Sequence, residues 1–126
     1  ECLKKEIDFF SPLFKNVRFS TLYLAGGTPT ILSSSQLDWL FSLLEKKFNL
    51  ENTIQRIIES TPSTLDEEKL EIIKKHKFNR LTIGIQTTDR RLLKKVNRPF
   101  QTKNMIKKIF KISRKIGIKI LNIDLL

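Results

Sequence analysis

The sequence predicts an α/β fold of about four parallel strands with intervening helices, and three observations lead to this prediction. Short runs rich in β-branched residues alternate with longer segments whose apolar residues recur at helical spacing, which is typical of successive βα units. No linker-like stretch interrupts the alternation, so we expect one domain over residues 1–126. Several polar residues also fall where predicted strands end. A partial (β/α) barrel and a doubly wound sheet share this pattern, and it does not separate the two.

The first βα unit follows a helix-like segment at residues 1–10. Residues 20–25 (STLYLA) predict a strand, which a Gly-Gly-Thr-Pro turn at residues 26–29 ends. The serine hydroxyls at residues 33–35 can cap free backbone N–H groups and start a helix. That helix has one apolar stripe, formed by Leu37, Leu40, Phe41, Leu44 and Phe48.

The second βα unit has a strand at residues 54–60 (IQRIIES). Thr64, followed three residues later by Glu67, predicts a capping box at the start of the next helix. Residues 81–86 (LTIGIQ) then predict a third strand.

Two helices and a last strand complete the pattern. A short helix is expected near residues 89–96, and a basic helix from about residue 102 to 116, with Gly117 as its C-cap. Residues 118–125 (IKILNIDL) predict the fourth strand. Because the chain begins with Glu1 rather than Met and ends inside a strand-like segment, we expect the domain to be truncated at both ends.

Positive charge dominates the composition, with 24 Lys and Arg against 13 Asp and Glu and a net charge of +11. In the basic helix, Lys107 and Lys111 fall opposite Ile109 and Ile112, as on a solvated helical face. The sequence has none of the stacking, zinc-finger or basic-helix motifs of nucleic-acid binding proteins. A nucleic-acid partner is therefore not expected, and a basic RNA-binding module is kept as an alternative.

The single cysteine, Cys2, excludes an intrachain disulfide framework and an intrachain cysteine-based metal site. The expected compartment is therefore the cytoplasm. The longest apolar runs fall far short of the roughly 20 residues that span a bilayer, so no membrane span is expected.

The candidate site consists of polar residues at the C-terminal ends of the predicted strands, where parallel βα proteins bind ligands. The Gly26-Gly27-Thr28 turn can bring bare backbone close to a ligand, or merely provide a tight turn. Glu59 can accept hydrogen bonds from an amino group, and Gln86 can bind a carboxylate or a ribose, although both are also ordinary strand-end residues. Asp124 interrupts an apolar strand and needs partners if it is buried.

Three further residues have ordinary interpretations when taken alone. Arg98 is one of many basic residues and is expected on the surface. His76 ends a helix, where the helix dipole explains it, so we assign it no catalytic role. Cys2 has no cysteine or histidine neighbour at ligand spacing. We therefore predict no catalytic residue and no metal ligand in this chain.

Five segments in a fixed order resemble one known family, and together they cover about residues 20–126. The resemblance is to radical S-adenosylmethionine (SAM) proteins related to oxygen-independent coproporphyrinogen III oxidase and to the bacterial haem chaperone of the same family. The segments are residues 22–30 (LYLAGGTPT), 59–62 (ESTP), 79–87 (NRLTIGIQT), 96–98 (VNR) and 122–125 (NIDL).

The resemblance implies a partial (β/α) barrel of the radical SAM type and a set of residues that hold SAM. These are Gly26, Gly27 and Thr28 at the methionine end, Glu59 at the amino group, and Gln86, Arg98 and Asp124 through polar groups. Two departures stand out. Ala25 replaces the first glycine of the usual triplet, and the Cys-x-x-x-Cys-x-x-Cys motif that binds the [4Fe–4S] cluster is absent.

The resemblance also implies a function for a longer parent protein. It is expected to cleave SAM reductively at a [4Fe–4S] cluster and to act as an oxidoreductase in porphyrin and haem biosynthesis, with a porphyrinogen as substrate and an electron donor as partner. Without the cluster cysteines, the chain alone is expected to be inactive. A haem-binding chaperone of the same family and a remnant without function are the further alternatives.

Overall fold

The computed structural model describes all residues from 1 to 126, and it contains nine helices and strands. In chain order they are α1 (Cys2–Phe10), β1 (Thr21–Leu24), α2 (Ser34–Lys47), β2 (Gln55–Ser60), α3 (Glu67–Lys75), β3 (Arg80–Gln86), α4 (Arg90–Lys95), α5 (Lys103–Ile116) and β4 (Ile120–Leu125). Each helix and strand that the sequence predicts is present, with ends shifted by about one or two residues. Short 3₁₀ turns follow α1 and precede α2.

The four strands form one parallel sheet in the order β1-β2-β3-β4. A doubly wound sheet reverses its strand order at a switch point, whereas the strands of a (β/α) barrel follow one another around the sheet. The sequential order therefore confirms the α/β fold and identifies it as part of a barrel.

The hydrophobic core lies between the sheet and the helices that cover one of its faces. From the sheet, Ile58, Leu81 and Ile83 point to this core and are fully buried. They meet apolar residues of the helices, chiefly Leu37, Phe41, Leu70, Ile73 and Ile109. Because side chains alternate along a strand, the neighbouring residues on each strand lie on the opposite face of the sheet, which the helices leave uncovered.

Helix caps confirm two predictions and correct a third. Ser33 forms a capping box with Gln36, and Gly117 ends α5 with φ of 86°. The predicted capping box between Thr64 and Glu67 is wrong, because α3 begins two residues later with Asp66 as its N-cap. The Thr64 hydroxyl instead bonds the backbone and side chains of neighbouring loops.

The longest helices, α2 and α5, each have 14 residues. None of the helices combines the length and the apolar character needed to cross a membrane. In α5 the lysines Lys107 and Lys111 are exposed and Ile109 is buried, which confirms the predicted solvated basic face.

Candidate functional site

The C-terminal ends of the four strands meet at one edge of the sheet, and six of the seven predicted site residues lie at or just after a strand end there. Gly26, Gly27 and Thr28 follow β1, and Glu59, Gln86 and Asp124 are in the last residues of β2, β3 and β4. The seventh, Arg98, follows α4 and reaches back to β3. They form two groups.

The first group surrounds the Glu59 carboxylate. The backbone N–H of Gly26 donates to Glu59 Oε2 at 3.3 Å, and the hydroxyl of Tyr23 donates to Oε1. Each carboxylate oxygen can accept a further hydrogen bond, so a ligand ammonium or amide can still bind there. The loop after β1 and the Glu59 carboxylate are therefore held together at the strand ends.

The glycines beside this carboxylate need to be glycines for conformational reasons. Gly26 has φ of 82° and Gly27 has φ of 57°, a region that other residues rarely adopt. A Cβ atom on either would meet nothing within 4 Å. The tight-turn interpretation is therefore correct, and the turn also leaves open space next to bare backbone, where a ligand can approach. Ala25 has no positive φ, as expected for the residue that replaces a glycine.

The second group meets at Gly84 on β3. Arg98 Nη1 donates to the carbonyl oxygen of Gly84. A Cβ atom on Gly84 would lie 3.1 Å from Gln86 Nε2 and 3.5 Å from Arg98 Nη1. The absence of a side chain at Gly84 therefore allows the side chains of Gln86 and Arg98 to lie close to β3, and Arg98 is half-buried at the site rather than a free surface charge.

Gln86 has a strained backbone, with φ of 67°. It ends β3 at an irregularity in the pairing with β4, and its carbonyl oxygen accepts a hydrogen bond from Leu126. A left-handed conformation costs a residue with a side chain about 1–3 kcal/mol. Such strain is typical of functional sites, and here it lies at the position that the sequence selected on other grounds.

Two predicted site residues make no side-chain hydrogen bond with these groups. Thr28 is half-buried, and its side chain does not cap the 3₁₀ turn that follows it. Asp124 pairs with Gly84 in the sheet register, and it is exposed, so it needs no buried partner. Both lie at the edge and leave their polar atoms free.

Tyr23 was missed by the sequence analysis. Its pKa is raised, mainly by the hydrogen bond to Glu59, with smaller contributions from burial and from the charge of Asp124. A signal for it exists in the sequence, because alternation along β1 sends Leu22 and Leu24 to the core and Tyr23 to the opposite face. The sequence contains no signal that identifies the partner of Tyr23, Glu59, which lies 36 residues away.

A second contact that the sequence did not predict stabilises the loops after β1 and β2. Lys69 Nζ donates to the carbonyl oxygens of Thr30 at 2.9 Å and Thr64 at 3.1 Å, and the hydroxyls of these two threonines are 2.6 Å apart. Thr30 is fully buried. The loop after β1 and the loop after β2 are thus tied together, which fixes Gly26 relative to Glu59.

His76 lies at the opposite edge of the sheet, and its helix-dipole explanation is incomplete. The ring is buried, with Nε2 at 2.7 Å from Asp38 Oδ1 and Nδ1 at 2.9 Å from Glu45 Oε2. It also packs against Phe41, with ring centres 5.2 Å apart. His76 is therefore part of a buried polar network and not a solvated helix-end charge.

This chain contains no cluster of side chains that could bind a metal ion. No group of three or more His, Cys, Asp and Glu side chains is arranged to hold a metal ion, and Cys2 is exposed on α1.

Comparisons with known proteins agree on one family. The family model described as the Radical SAM superfamily matches residues 5–126. A heme chaperone HemW of Buchnera aphidicola (subsp. Schizaphis graminum) is 32% identical over 122 residues, which are 94% of this chain and 32% of that protein. An oxygen-independent coproporphyrinogen III oxidase of Salmonella typhimurium is 32% identical over the whole chain, which covers 27% of that protein.

A solved structure shares the fold as well. The coproporphyrinogen III oxidase HemN of Escherichia coli, described as a radical SAM enzyme, superposes with a TM-score of 0.88 at 34% identity, over 98% of this chain and 28% of that one. The chain thus spans about a third or less of the length of the relatives that it matches.

Proposed function

The chain belongs to the radical SAM superfamily, and from this membership we propose that its sheet edge at Gly26, Glu59 and Gln86 binds S-adenosylmethionine. Membership implies the use of SAM and of a [4Fe–4S] cluster. The partial barrel of the radical SAM type is the scaffold for that edge. The observation that carries the proposal is the Glu59 carboxylate, held beside an open glycine turn.

The residues at the edge fit SAM. Its methionine end has an ammonium and a carboxylate. Glu59 would accept hydrogen bonds from the ammonium, and the backbone of Gly26, Gly27 and Thr28, with the Thr28 hydroxyl, would line the methionine end. Gln86, Arg98 and Asp124 would contribute polar contacts on the β3 and β4 side. With one electron from the cluster, bound SAM would supply hydrogen-atom abstraction through its 5′-deoxyadenosyl group.

The residues do not fit the iron–sulfur cluster. Such a cluster needs several cysteine thiolates, and this chain has only Cys2, which has no metal-ligating neighbours. We therefore propose that residues 1–126 form one partial core domain of a longer protein, and that the chain alone cannot cleave SAM. The share of the relatives' length that the chain covers supports this proposal.

For the whole protein we propose an oxidoreductase of the coproporphyrinogen III oxidase type, which uses a porphyrinogen as substrate and needs an electron donor. The resemblance to HemN in both sequence and structure supports it. A haem-binding chaperone is the second candidate, because the HemW relative is equally identical, at 32%. The protein encoded by the longest reading frame around this chain can be assayed anaerobically for CO₂ release from coproporphyrinogen III, and for haem binding by its Soret absorbance.

SAM binding itself can be tested on the 126-residue chain by titration calorimetry. Replacing Glu59 with Gln removes the negative charge but keeps the size, and we expect SAM to bind about tenfold more weakly, or about 1.4 kcal/mol. Glu68→Gln is the matched control, since Glu68 is exposed on α3, which packs on the opposite face of the sheet from the Glu59 carboxylate. This variant should bind SAM as the unaltered chain does. Equal affinity in Glu59→Gln would contradict the proposed site.

A further inference from the structure

Tyr23 is the only tyrosine of the chain, and it makes a specific contact at the proposed site. It lies on β1, on the sheet face that the helices leave uncovered, opposite Ile57 in the register. Its hydroxyl reaches along this face to Glu59 Oε1. The hydroxyl has no other hydrogen-bond partner, and about half of the residue's surface, 53%, is exposed. Tyr23 therefore contributes little to the packing of the hydrophobic core.

The two hydrogen bonds to Glu59 are unequal. The bond from Gly26 N–H to Oε2 is 3.3 Å long, beyond the usual range for N–H donors. The bond from the Tyr23 hydroxyl to Oε1 is the only one that a side chain donates to this carboxylate. Glu59 is also on a flexible side chain, whose rotamers must be fixed before it can bind a ligand with full affinity. Tyr23 is therefore the side chain that restrains the carboxylate.

We propose that Tyr23 is a positioning residue, which holds the Glu59 carboxylate in the orientation that receives the ammonium group of SAM. This inference rests on the proposed function, because it assigns Tyr23 to the same site. Tyr23 acts through Glu59 and is not a catalytic residue. One oxygen of the carboxylate, Oε1, accepts from the phenol, and the other, Oε2, lies 3.3 Å from the backbone nitrogen of Gly26, beside the open glycine turn.

The hydrogen bond between Tyr23 and Glu59 can be tested without any ligand, because the single phenol of the chain gives a single ultraviolet signal. In the folded chain the pKa of Tyr23 is raised above its usual value, chiefly by the bond to Glu59. Ultraviolet titration of the phenolate should therefore show a higher midpoint in the folded chain than in guanidinium chloride. Glu59→Gln should bring the folded midpoint down, and the control Glu68→Gln should leave it unchanged. Equal midpoints in the folded and unfolded chains would overturn the inference.

The role in binding is tested by Tyr23→Phe, which removes only the hydroxyl. We expect SAM to bind about fivefold more weakly, which is the factor that one net hydrogen bond provides. The urea unfolding midpoint should not change, because the ring stays and the lost contact is on the exposed face. Trp39→Phe is a matched control, since Trp39 is an aromatic residue of α2 with 49% exposure and one polar hydrogen. It should change neither quantity.

The outcomes separate this inference from the proposed function. If the unaltered chain does not bind SAM, the proposed function fails, and the positioning role falls with it even where the titration finds the Tyr23–Glu59 pair. If the unaltered chain binds SAM and Tyr23→Phe binds it equally well, the inference is overturned and the proposed function stands. Weaker binding by Tyr23→Phe together with a lowered phenol midpoint in Glu59→Gln supports both.

Discussion

The two edges of the sheet differ in how completely their polar groups are satisfied. At the N-terminal edge, the buried side chains of Arg56 and His76 each have two or more hydrogen-bond partners. At the C-terminal edge, glycines leave open space, a glutamine is strained, and the polar atoms of Thr28 and Asp124 are free. In (β/α) barrels, the first edge usually contributes to stability and the second to function. The contrast in this chain follows that division.

Arg56 is the centre of the N-terminal edge. Its side chain is only 7% exposed, and it donates to Glu45 Oε1, to the carbonyl oxygen of His76 at 2.7 Å and to that of Leu50 at 3.1 Å. His76 in turn contacts Glu45 and Asp38. The ends of α2 and α3 are thereby fixed to the start of β2, and loss of one member removes hydrogen bonds from several others.

The largest expected effect comes from breaking this network. Arg56→Met should lower the free energy of unfolding by about 3 kcal/mol, because Glu45 and the carbonyl groups of His76 and Leu50 each lose a hydrogen bond from Arg56 in a partly buried setting. Urea denaturation followed by circular dichroism measures this change. Arg91→Met is the matched control: its side chain is 92% exposed and 3.9 Å from Asp89, so the effect should stay within about 0.5 kcal/mol. Similar losses in both variants would remove the distinction between the edges.

Acid is expected to lower the stability of the folded chain by an intermediate amount. Hydrogen bonds from Lys75 and His76 lower the pKa of Asp38. Burial would raise the pKa of Glu45, but the bonds from Arg56 and His76 outweigh it and lower the value. Hydrogen bonds from Lys4 and Lys47 lower the pKa of Asp8 to about 2.

The direction in which stability changes with pH follows from proton linkage. A carboxylate with a lowered pKa in the folded chain stabilises it above the unfolded pKa, and this stability is lost as the pH falls through the folded value. The urea midpoint should therefore be constant above about pH 4.5 and decrease towards pH 2. These side chains are about one-third exposed, so the decrease should be smaller than the effect of Arg56→Met. Asp8→Asn should flatten the lowest part of the profile, and an unchanged profile would contradict the assignment of Asp8.

Most of the fold was predictable because it depends on local patterns. Apolar spacing, the Ser33 cap and the Gly117 stop are read within a few residues, and they located each helix and strand. The error at Thr64 has the same origin. Threonine fits a capping box locally, but its hydroxyl bonds Thr30, 34 residues away, and the stronger cap Asp66 starts the helix.

The candidate site was predictable in location but not in its contacts. Strand ends and the family resemblance identified Glu59, Gln86 and Arg98. The partners that orient them, Tyr23 and Gly84, depend on which strands become neighbours, and so does the network around His76. A sequence read one residue at a time contains no signal for a pairing across 36 positions. Long-range register, and not local propensity, is therefore the information that only the structure supplied.

The smallest expected effect tests whether strain at the C-terminal edge has a functional purpose. Gln86 and Lys77 share a left-handed backbone, with φ of 67° and 60°, but Lys77 is exposed at the N-terminal edge. Glycine relieves this strain, so Lys77→Gly should raise the free energy of unfolding by about 0.5–1 kcal/mol and leave SAM binding unchanged. Gln86→Gly should gain no more stability than that and should bind SAM more weakly, because its amide is lost. If Gln86→Gly binds SAM normally, the strain at Gln86 has only a structural cause, and the functional distinction between the two edges rests on Glu59 and its glycines alone.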